Sequence, residues 1–343
     1  KQIDKGKQVY LILLDLSAAF DTIDQNILID FLNTSIGLCG PALDIFKSYL
    51  SNRTQKVSIN GIFSSIKDLL YGVPQGSVLG PLVFCIYTLP LCAILKHHNI
   101  DYHIYADDTQ LYCSFDSDLA SETLDRMMSC IQDIRSWMIQ NKLKINDDKT
   151  EFLVLSSPRA HTNKDMSLEI GSASIKPSAK CRNLGVIFDE HMAMDAHVAN
   201  VAKCMMFHLR NISKIRHLLT ETATIPLVHA LVTSRLIYCN SLLYGLSDLL
   251  IGKLQRIQNI AARIVTRSKK QCHITPILYK LHWLPVKSQI IFKILLLTFH
   301  SIHGSAHQYL KDIVNNSILS RSFRSSSENL VVVPKVRLKS YGE

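Results

Sequence analysis

The sequence has no Cys-x-x-Cys pair anywhere, although nine cysteines are scattered from Cys39 to Cys272. An odd, unpatterned set in a chain of 343 residues excludes a disulfide framework and points to reduced thiols, hence to a nuclear or cytoplasmic setting. Charge is scarce as well. Only 19% of residues are Asp, Glu, Lys or Arg, and with 47% apolar residues this excludes intrinsic disorder and supplies a sizeable core. No acid occurs between Asp248 and Asp312, and no internal repeat is visible. The amino terminus, Lys1-Gln-Ile-Asp-Lys5, lacks both a methionine and the apolar stretch of a signal peptide, and reads as a cut end.

The charges that are present are unevenly divided. Residues 1–200 hold 18 Lys+Arg and 23 Asp+Glu, residues 201–343 hold 20 and 5, so a net of −5 precedes a net of +15. A basic last part joined to an acidic first part suggests that polyanion binding and chemistry are separated along the chain. Val78 to Leu95 is uncharged for eighteen residues, the minimum length for a membrane span. Gly80, Pro81 and Pro90 interrupt it, and a buried core segment is expected there, with no membrane partner.

Val9-Tyr-Leu-Ile-Leu-Leu14 is a short apolar run, the pattern of a strand covered on both faces, and it ends on Asp15. Apolar residues then recur at helical spacing from Asp24, and Gln55 to Gly61 alternates and turns on Asn60-Gly61, a hairpin signal. Tyr102–Tyr105 and Thr109–Tyr112 read as two strands joined by Ala106-Asp107-Asp108, a hairpin with two acids at its tip. Leu119 to Asn141 has the periodicity of an amphipathic helix, and Phe152–Leu155 and Leu184–Phe188 read as further strands. Strands and helices interleave to about residue 190, helices dominate over 191–314, and 315–343 is Ser- and Arg-rich, the composition of a flexible tail.

Asp107, Asp108 and Asp15 each stand at the end of an apolar run. Charges left near a core cost several kcal/mol each unless paired or bound to a cation, roughly the penalty of an unrelieved buried ion. Three such carboxylates, if they converged, could hold two Mg²⁺ ions about 3.5–4 Å apart for in-line phosphoryl displacement. An Asp-Asp pair by itself is equally a solvated turn.

The surrounding motifs decide between these. Leu13-Leu-Asp15-Leu-Ser-Ala-Ala-Phe20-Asp21, then Gly72-Val-Pro-Gln-Gly76-Ser-Val-Leu-Gly80-Pro81, then Tyr105-Ala-Asp-Asp108, in this order, closely resemble a reverse transcriptase of the LINE-type, non-LTR retrotransposons. The likeness continues through Leu143-Lys-Ile-Asn146-Asp-Asp-Lys149-Thr-Glu-Phe152 and Asn183-Leu-Gly-Val186, and into Ser234–Asn240, Leu254–Arg263 and Leu281–Pro285. It implies an α+β polymerase palm, an antiparallel sheet with packed helices over 1–190, followed by a mainly α-helical thumb. It further implies an RNA-directed DNA polymerase that adds deoxynucleoside triphosphates to a DNA primer on an RNA template, with two Mg²⁺ ions or Mn²⁺ in their place.

Carried over by motif, the resemblance makes Asp15, Asp107 and Asp108 the metal-binding carboxylates, with the backbone carbonyl of Leu16 as a further ligand. Phe20 would stack on the incoming sugar and exclude a 2′-hydroxyl; otherwise it is a core phenylalanine. Gln75 and Gly76 would contact nucleotide and template, glycine allowing close approach and glutamine offering donor and acceptor; a plain turn is the alternative. Lys149 would protonate the departing pyrophosphate, or is a surface lysine. Asn183 and Gly185 correspond to a hairpin supporting the primer end. A nucleotide cyclase also uses paired metals on a palm-like sheet, but has no use for the 72–76 loop or for a long basic carboxyl-terminal part.

In that last part Leu254, Ile257, Ala261, Ile264 and Val265 form an apolar stripe over 251–267, while Lys253, Arg256, Arg263 and Arg267 gather on another face. Such a face can follow a phosphate backbone, although most charged helix faces are merely solvated. His300, His303 and His307 share helical spacing without a cysteine or acid nearby to complete a metal shell, and no Cys-rich zinc knuckle occurs. Only fourteen residues precede Asp15, so a fingers region and an endonuclease, usual upstream in this family, are expected to be missing. Gln25 stands where relatives often have His and Ile237 where they often have Asp, as in a decaying genomic copy. Such a chain could also be an inert nucleic-acid-binding remnant.

Overall fold

The computed structural model describes residues 2–160, 165–171 and 173–314, and the Ser- and Arg-rich stretch from 315 onward lies outside the described residues. Two compact units divide between Met192 and Ala193.

The first unit is built on β1 (Gln8–Leu14), the apolar run of the sequence. After it come α1 (Gln25–Thr34), α2 (Gly40–Leu50), and four two-residue strands, β2 (Thr54–Gln55), β3 (Ser58–Ile59), β4 (Ile62–Phe63) and β5 (Lys67–Asp68). Asp24 caps α1, its carboxylate accepting from the Asn26 and Ile27 amides. Asn60 and Gly61, at φ +49° and +82°, make the tight turn between β3 and β4 that their identities anticipate.

The uncharged stretch forms α3 (Gly80–Tyr87) and α4 (Leu91–His97), broken over 88–90. By length and composition Gly80–His97 alone could cross a membrane among the described residues, yet Val83, Phe84, Tyr87, Leu91 and Leu95 are buried in the core of this unit. Next come β6 (Asp101–Tyr105), β7 (Asp108–Phe115), α5 (Ala120–Gln140) and β8 (Glu151–Leu155). The unit closes with two hairpins, β9 (Leu168–Ile170) with β10 (Ala173–Ile175), and β11 (Lys180–Asn183) with β12 (Val186–Asp189).

The main sheet has the order β6-β7-β1-β8, antiparallel throughout. With β1 central, both its faces are covered. Tyr10, Ile12 and Leu14 enter the main core with Phe84, Leu111, Met127, Ile134 and Phe152. Leu11, on the other face, packs with Leu153, Leu155 and Cys181. Complete burial of each large apolar side chain contributes roughly 1.5–3 kcal/mol, which makes β1 costly to displace. Leu184 does not belong to a strand as expected: with Gly185 it forms the β11–β12 turn, at φ +45° and +82°. The glycine readily accepts that geometry and the leucine does so under strain.

The second unit is helical: α6 (Asp195–Ile215), α7 (Glu221–Val228), α8 (Ser234–Ile237), α9 (Asp248–Thr266), α10 (Ile274–Lys280), α11 (Val286–Ile302) and α12 (Gln308–Lys311). A π-helical turn, His229–Thr233, lies between α7 and α8, just beyond Pro226. Leu254, Ile257, Ala261 and Val265 of α9 are buried as the period predicts, together with Ala262, while Ile264 is only half-buried.

Candidate active site

The carboxylates are assembled by strand register. Leu14 pairs with Thr109 in the antiparallel β1–β7 ladder, so one residue further on Asp15 leaves β1 beside Asp108, the first residue of β7. Side chains alternate along each strand, which places Asp15 and Asp108 on the same face of the sheet, opposite the buried Leu14 and Thr109. Asp107 stands in the two-residue turn from β6, whose first position, Ala106, has φ +52°. A left-handed alanine is strained, and it is the kind of local cost that functional turns retain.

The electrostatics show Asp107 and Asp15 acting on Asp108. Asp108 titrates above the usual carboxylate range, first because burial disfavours its charge, then because Asp107 and Asp15 repel it. A cation is the direct remedy for such a cluster, and hard oxygen donors are the set that Mg²⁺ or Mn²⁺ takes. The Leu16 carbonyl is also available: the local bridge uses Ser17 N–H to Lys144 C=O, 2.9 Å, and Asn146 N–H to Asp15 C=O, 2.8 Å, and leaves that of Leu16 aside. The donors therefore fit a hard divalent ion in their chemistry. Among the described residues, however, no three or more His, Cys, Asp or Glu side chains stand close enough together to hold a metal ion. Asp15 has partners of its own: its Oδ2 accepts from Asn146 Nδ2 at 3.1 Å and lies 3.9 Å from Lys149 Nζ. With 72% of the Lys149 side chain exposed, that pair is worth at most about 1 kcal/mol and leaves the lysine free to swing.

The 72–76 loop is tied to the segment after β1. Gly72 N–H donates to the Ile23 carbonyl at 2.8 Å and Val73 N–H to the Phe20 carbonyl at 2.9 Å. Gln25 Nε2 donates to the Gly72 carbonyl at 3.1 Å, so the glutamine that departs from the family pattern has a structural use. Gln75 is exposed and donates to Asp21 Oδ1 at 3.0 Å; Gly76, also exposed, has φ +77°. Phe20 is half-buried against Phe84 of α3, ring centroids 4.8 Å apart, so its ring is both packed and partly open.

Asn183 accepts from Gln110 Nε2 of β7 at 2.8 Å, which fastens the β11–β12 turn, with Gly185, to the strand that starts at Asp108. In the second unit Lys253 and Arg256 are exposed on α9. Arg263 donates to the Cys272 carbonyl at 3.3 Å, and Arg267, at the end of the helix with φ +54°, donates to the carbonyls of Arg216, His217 and Leu219. These two arginines therefore have partners within their own unit.

Three participants escaped the sequence reading: Asn146, Asp21 and Gln110. Each is a polar residue that touches a site residue remote in sequence, and only the last residue of an alternating run, Asn146 after Leu143 and Ile145, carried a local sign of facing away from the core.

Known proteins give the same reading. The chain belongs to the reverse transcriptase (RNA-dependent DNA polymerase) family, whose model matches residues 1–188. It is similar to transposon-encoded polymerases: it is 26% identical over 276 residues to a probable RNA-directed DNA polymerase from transposon BS, and 25% over 263 residues to that from transposon X-element, both of Drosophila melanogaster. Each alignment covers 74% of this chain and 28% of the relative, so the chain spans little more than a quarter of those proteins. The polymerase from mobile element jockey of the same fly is 26% identical over 46% of this chain and 17% of its own length. Solved telomerases of Candida tropicalis and Candida albicans align over 53% and 80% of this chain and 34% and 49% of theirs, at 16% and 12% identity. Their TM-scores of 0.38 and 0.36 are too low to argue from.

Proposed function

We propose that the chain carries the polymerase chemistry of a non-LTR retrotransposon, adding deoxynucleotides to a DNA primer 3′-hydroxyl on an RNA template. The observation that carries this reading is the β1–β7 register, which brings Asp15 beside Asp108 on one face of the sheet. Mg²⁺ held by Asp15, Asp107, Asp108 and the Leu16 carbonyl would lower the pKa of the attacking hydroxyl and offset charge on the leaving pyrophosphate. The residues of the chain do the rest. Phe20, packed on Phe84 and half-buried, would be the side chain that a 2′-hydroxyl meets. The 72–76 loop offers backbone and the Gln75 amide to the nucleotide and its template partner. Lys149 can deliver a proton to the departing pyrophosphate at Nζ. The β11–β12 turn, held to β7 through Gln110, gives the primer terminus a support with no side chain at Gly185. The helical second unit would act as a thumb, with Lys253, Arg256, Arg263 and Arg267 along the phosphates.

The rival reading is an inert nucleic-acid-binding remnant. Primer extension on an RNA template with Mg²⁺, run on this chain, on the chain joined to a fingers region, and on Asp107→Asn forms of both, separates the two. Extension by either intact form, reduced in the Asp107→Asn form beyond the roughly 10–100-fold that loss of an outer-shell partner costs, supports the polymerase. Salt-sensitive RNA binding with no extension by any form supports the remnant.

A further inference from the structure

The segment that follows α5 contains both Asn146 and Lys149, and it is held from outside the carboxylate cluster. Arg135, on α5, donates from Nη1 to both oxygens of Asp147, at 2.9 and 3.0 Å. The pair is largely shielded, with 30% of the Arg135 side chain and 20% of the Asp147 side chain exposed. The guanidinium lies flat against Gly171, in the turn between β9 and β10. A Cβ added there would stand 2.5–2.6 Å from Nη1, Cζ and Nη2, and Gly171 itself has φ +61°. An alanine at 171 would push the guanidinium, the movable end of a long side chain, away from this position.

From Asp147 the support passes to its neighbour. The Asn146 carbonyl accepts from the Thr150 amide and hydroxyl, both at 3.0 Å, and from the Lys149 amide at 3.2 Å, closing a single tight turn. The other end of Asn146 reaches Asp15 twice, through its amide N–H to the Asp15 carbonyl and through Nδ2 to Oδ2. With Nδ2 on Oδ2, the Asp15 carboxylate is held in one orientation and Oδ1 is the oxygen left for a cation. The cluster residues are on β1, β7 and a turn, whereas this support comes from α5 and the β9–β10 hairpin, elements that contribute nothing to the chemistry directly.

We propose that Gly171, Arg135, Asp147 and Asn146 form a brace that positions the Asp15 carboxylate and the Lys149 ammonium, with Arg135 and Asn146 as positioning residues of the reverse transcriptase centre. The brace rests on the polymerase reading for its purpose and on its own contacts for its existence. A lysine ammonium could also reach both carboxylate oxygens, but it lacks the planar group that packs on the glycine, so it would replace the arginine only in part.

The test uses the intact chain with Arg135→Ala, Arg135→Lys, Gly171→Ala and Asn146→Ala. Hydrogen exchange of the 146–150 amides, Mn²⁺ affinity by electron paramagnetic resonance, and single-nucleotide extension are measured beside the thermal melt. Arg135→Ala is expected to speed exchange of the Lys149 and Thr150 amides at least tenfold, to weaken Mn²⁺ binding about 10–100-fold, and to lower kcat by a similar factor. The deoxynucleotide KM should stay within about twofold, since the 72–76 loop is not part of the brace. Arg135→Lys should recover part of each loss, Gly171→Ala should act like Arg135→Ala, and Asn146→Ala should weaken Mn²⁺ binding without disturbing the α5 amides. Exchange and Mn²⁺ affinity that stay at the wild-type values in Arg135→Ala overturn the brace, whatever the activity. A fall in melting temperature with unchanged kcat per folded molecule also overturns it, leaving Arg135 a purely structural residue. A wild-type chain that never extends, even with a fingers region, but whose Mn²⁺ affinity drops with Arg135→Ala, overturns the polymerase reading and leaves the brace standing.

Discussion

Asp108 shows what the centre costs the fold. Its carboxyl is raised by burial and by the charges of Asp107 and Asp15, so the ionised cluster opposes folding until a cation joins it. The sign follows from linkage: a carboxyl whose folded pKa exceeds its unfolded value imposes no penalty below the unfolded value, and the penalty grows as pH rises through the folded one. In metal-free buffer at neutral pH, Asp108→Asn should therefore melt at or above the wild-type temperature, with the difference shrinking on acidification. Mg²⁺ at 100 times its dissociation constant should then stabilise the wild type by about 2.7 kcal/mol and the variant by much less. Calorimetry with and without Mg²⁺ checks both statements. A variant that melts below the wild type at neutral pH, or gains equally from Mg²⁺, would show that the repulsion is not what the structure implies.

Elements carry the site through contacts that are long in sequence, and the loop at 72–76 is the clearest case. Gly72 has φ +80°, and an added Cβ would stand 2.9 Å from the Asp21 Cα and from the carbonyl oxygens of Phe20 and Asp21. Gly72→Ala should cost about 1–3 kcal/mol through backbone strain and separate the loop from the Phe20 segment. Thermal melting reads the first effect, and a rise in the deoxynucleotide KM larger than the fall in kcat reads the second.

The same distinction between local and remote decides what the sequence reveals at this scale. The β1 run, the α1 period, the Asn60-Gly61 turn and the amphipathic α5 are all set by neighbours in the chain, and all were legible. The carboxylate hairpin was legible too, although Asp108 proves to begin a strand rather than to share the turn with Asp107. The register that joins Leu14 to Thr109 was not, because no local period encodes which strand a strand will meet. Motif likeness named the three aspartates in advance, but not the strand pairing that brings Asp15 beside Asp108. Arg135 was invisible for a related reason: on a helix with a charged face it looks like one more solvated cation, and only the position of Asp147 and the missing side chain at Gly171 distinguish it.

For the whole molecule, the division of charge coincides with the division into two units at Met192 and Ala193. The acids that are concentrated in the first unit include the cluster itself, and the basic excess falls on the helical part, where Lys253 and Arg256 are exposed on α9. If these two follow a nucleic-acid backbone, each Lys253→Ala or Arg256→Ala change should reduce the slope of log affinity against log salt by about 0.9 for a duplex. The loss should be uniform across sequences, since phosphate contacts do not read bases. Filter binding over a salt series measures it. An unchanged slope would mean that this face is only solvated.

On the polymerase reading, Asp15 and the adjacent pair Asp107 and Asp108, remote from it in sequence, hold divalent ions together. Mn²⁺ binding followed by electron paramagnetic resonance in the intact chain and in Asp15→Asn, Asp107→Asn and Asp108→Asn tests it most directly. Mn²⁺ should bind saturably, each of the three substitutions should weaken it, and Mg²⁺ should displace it. Binding that is absent in the wild type, or that survives Asp15→Asn unchanged while Asp108→Asn abolishes it, would contradict the convergence of β1 and β7 on a shared metal site.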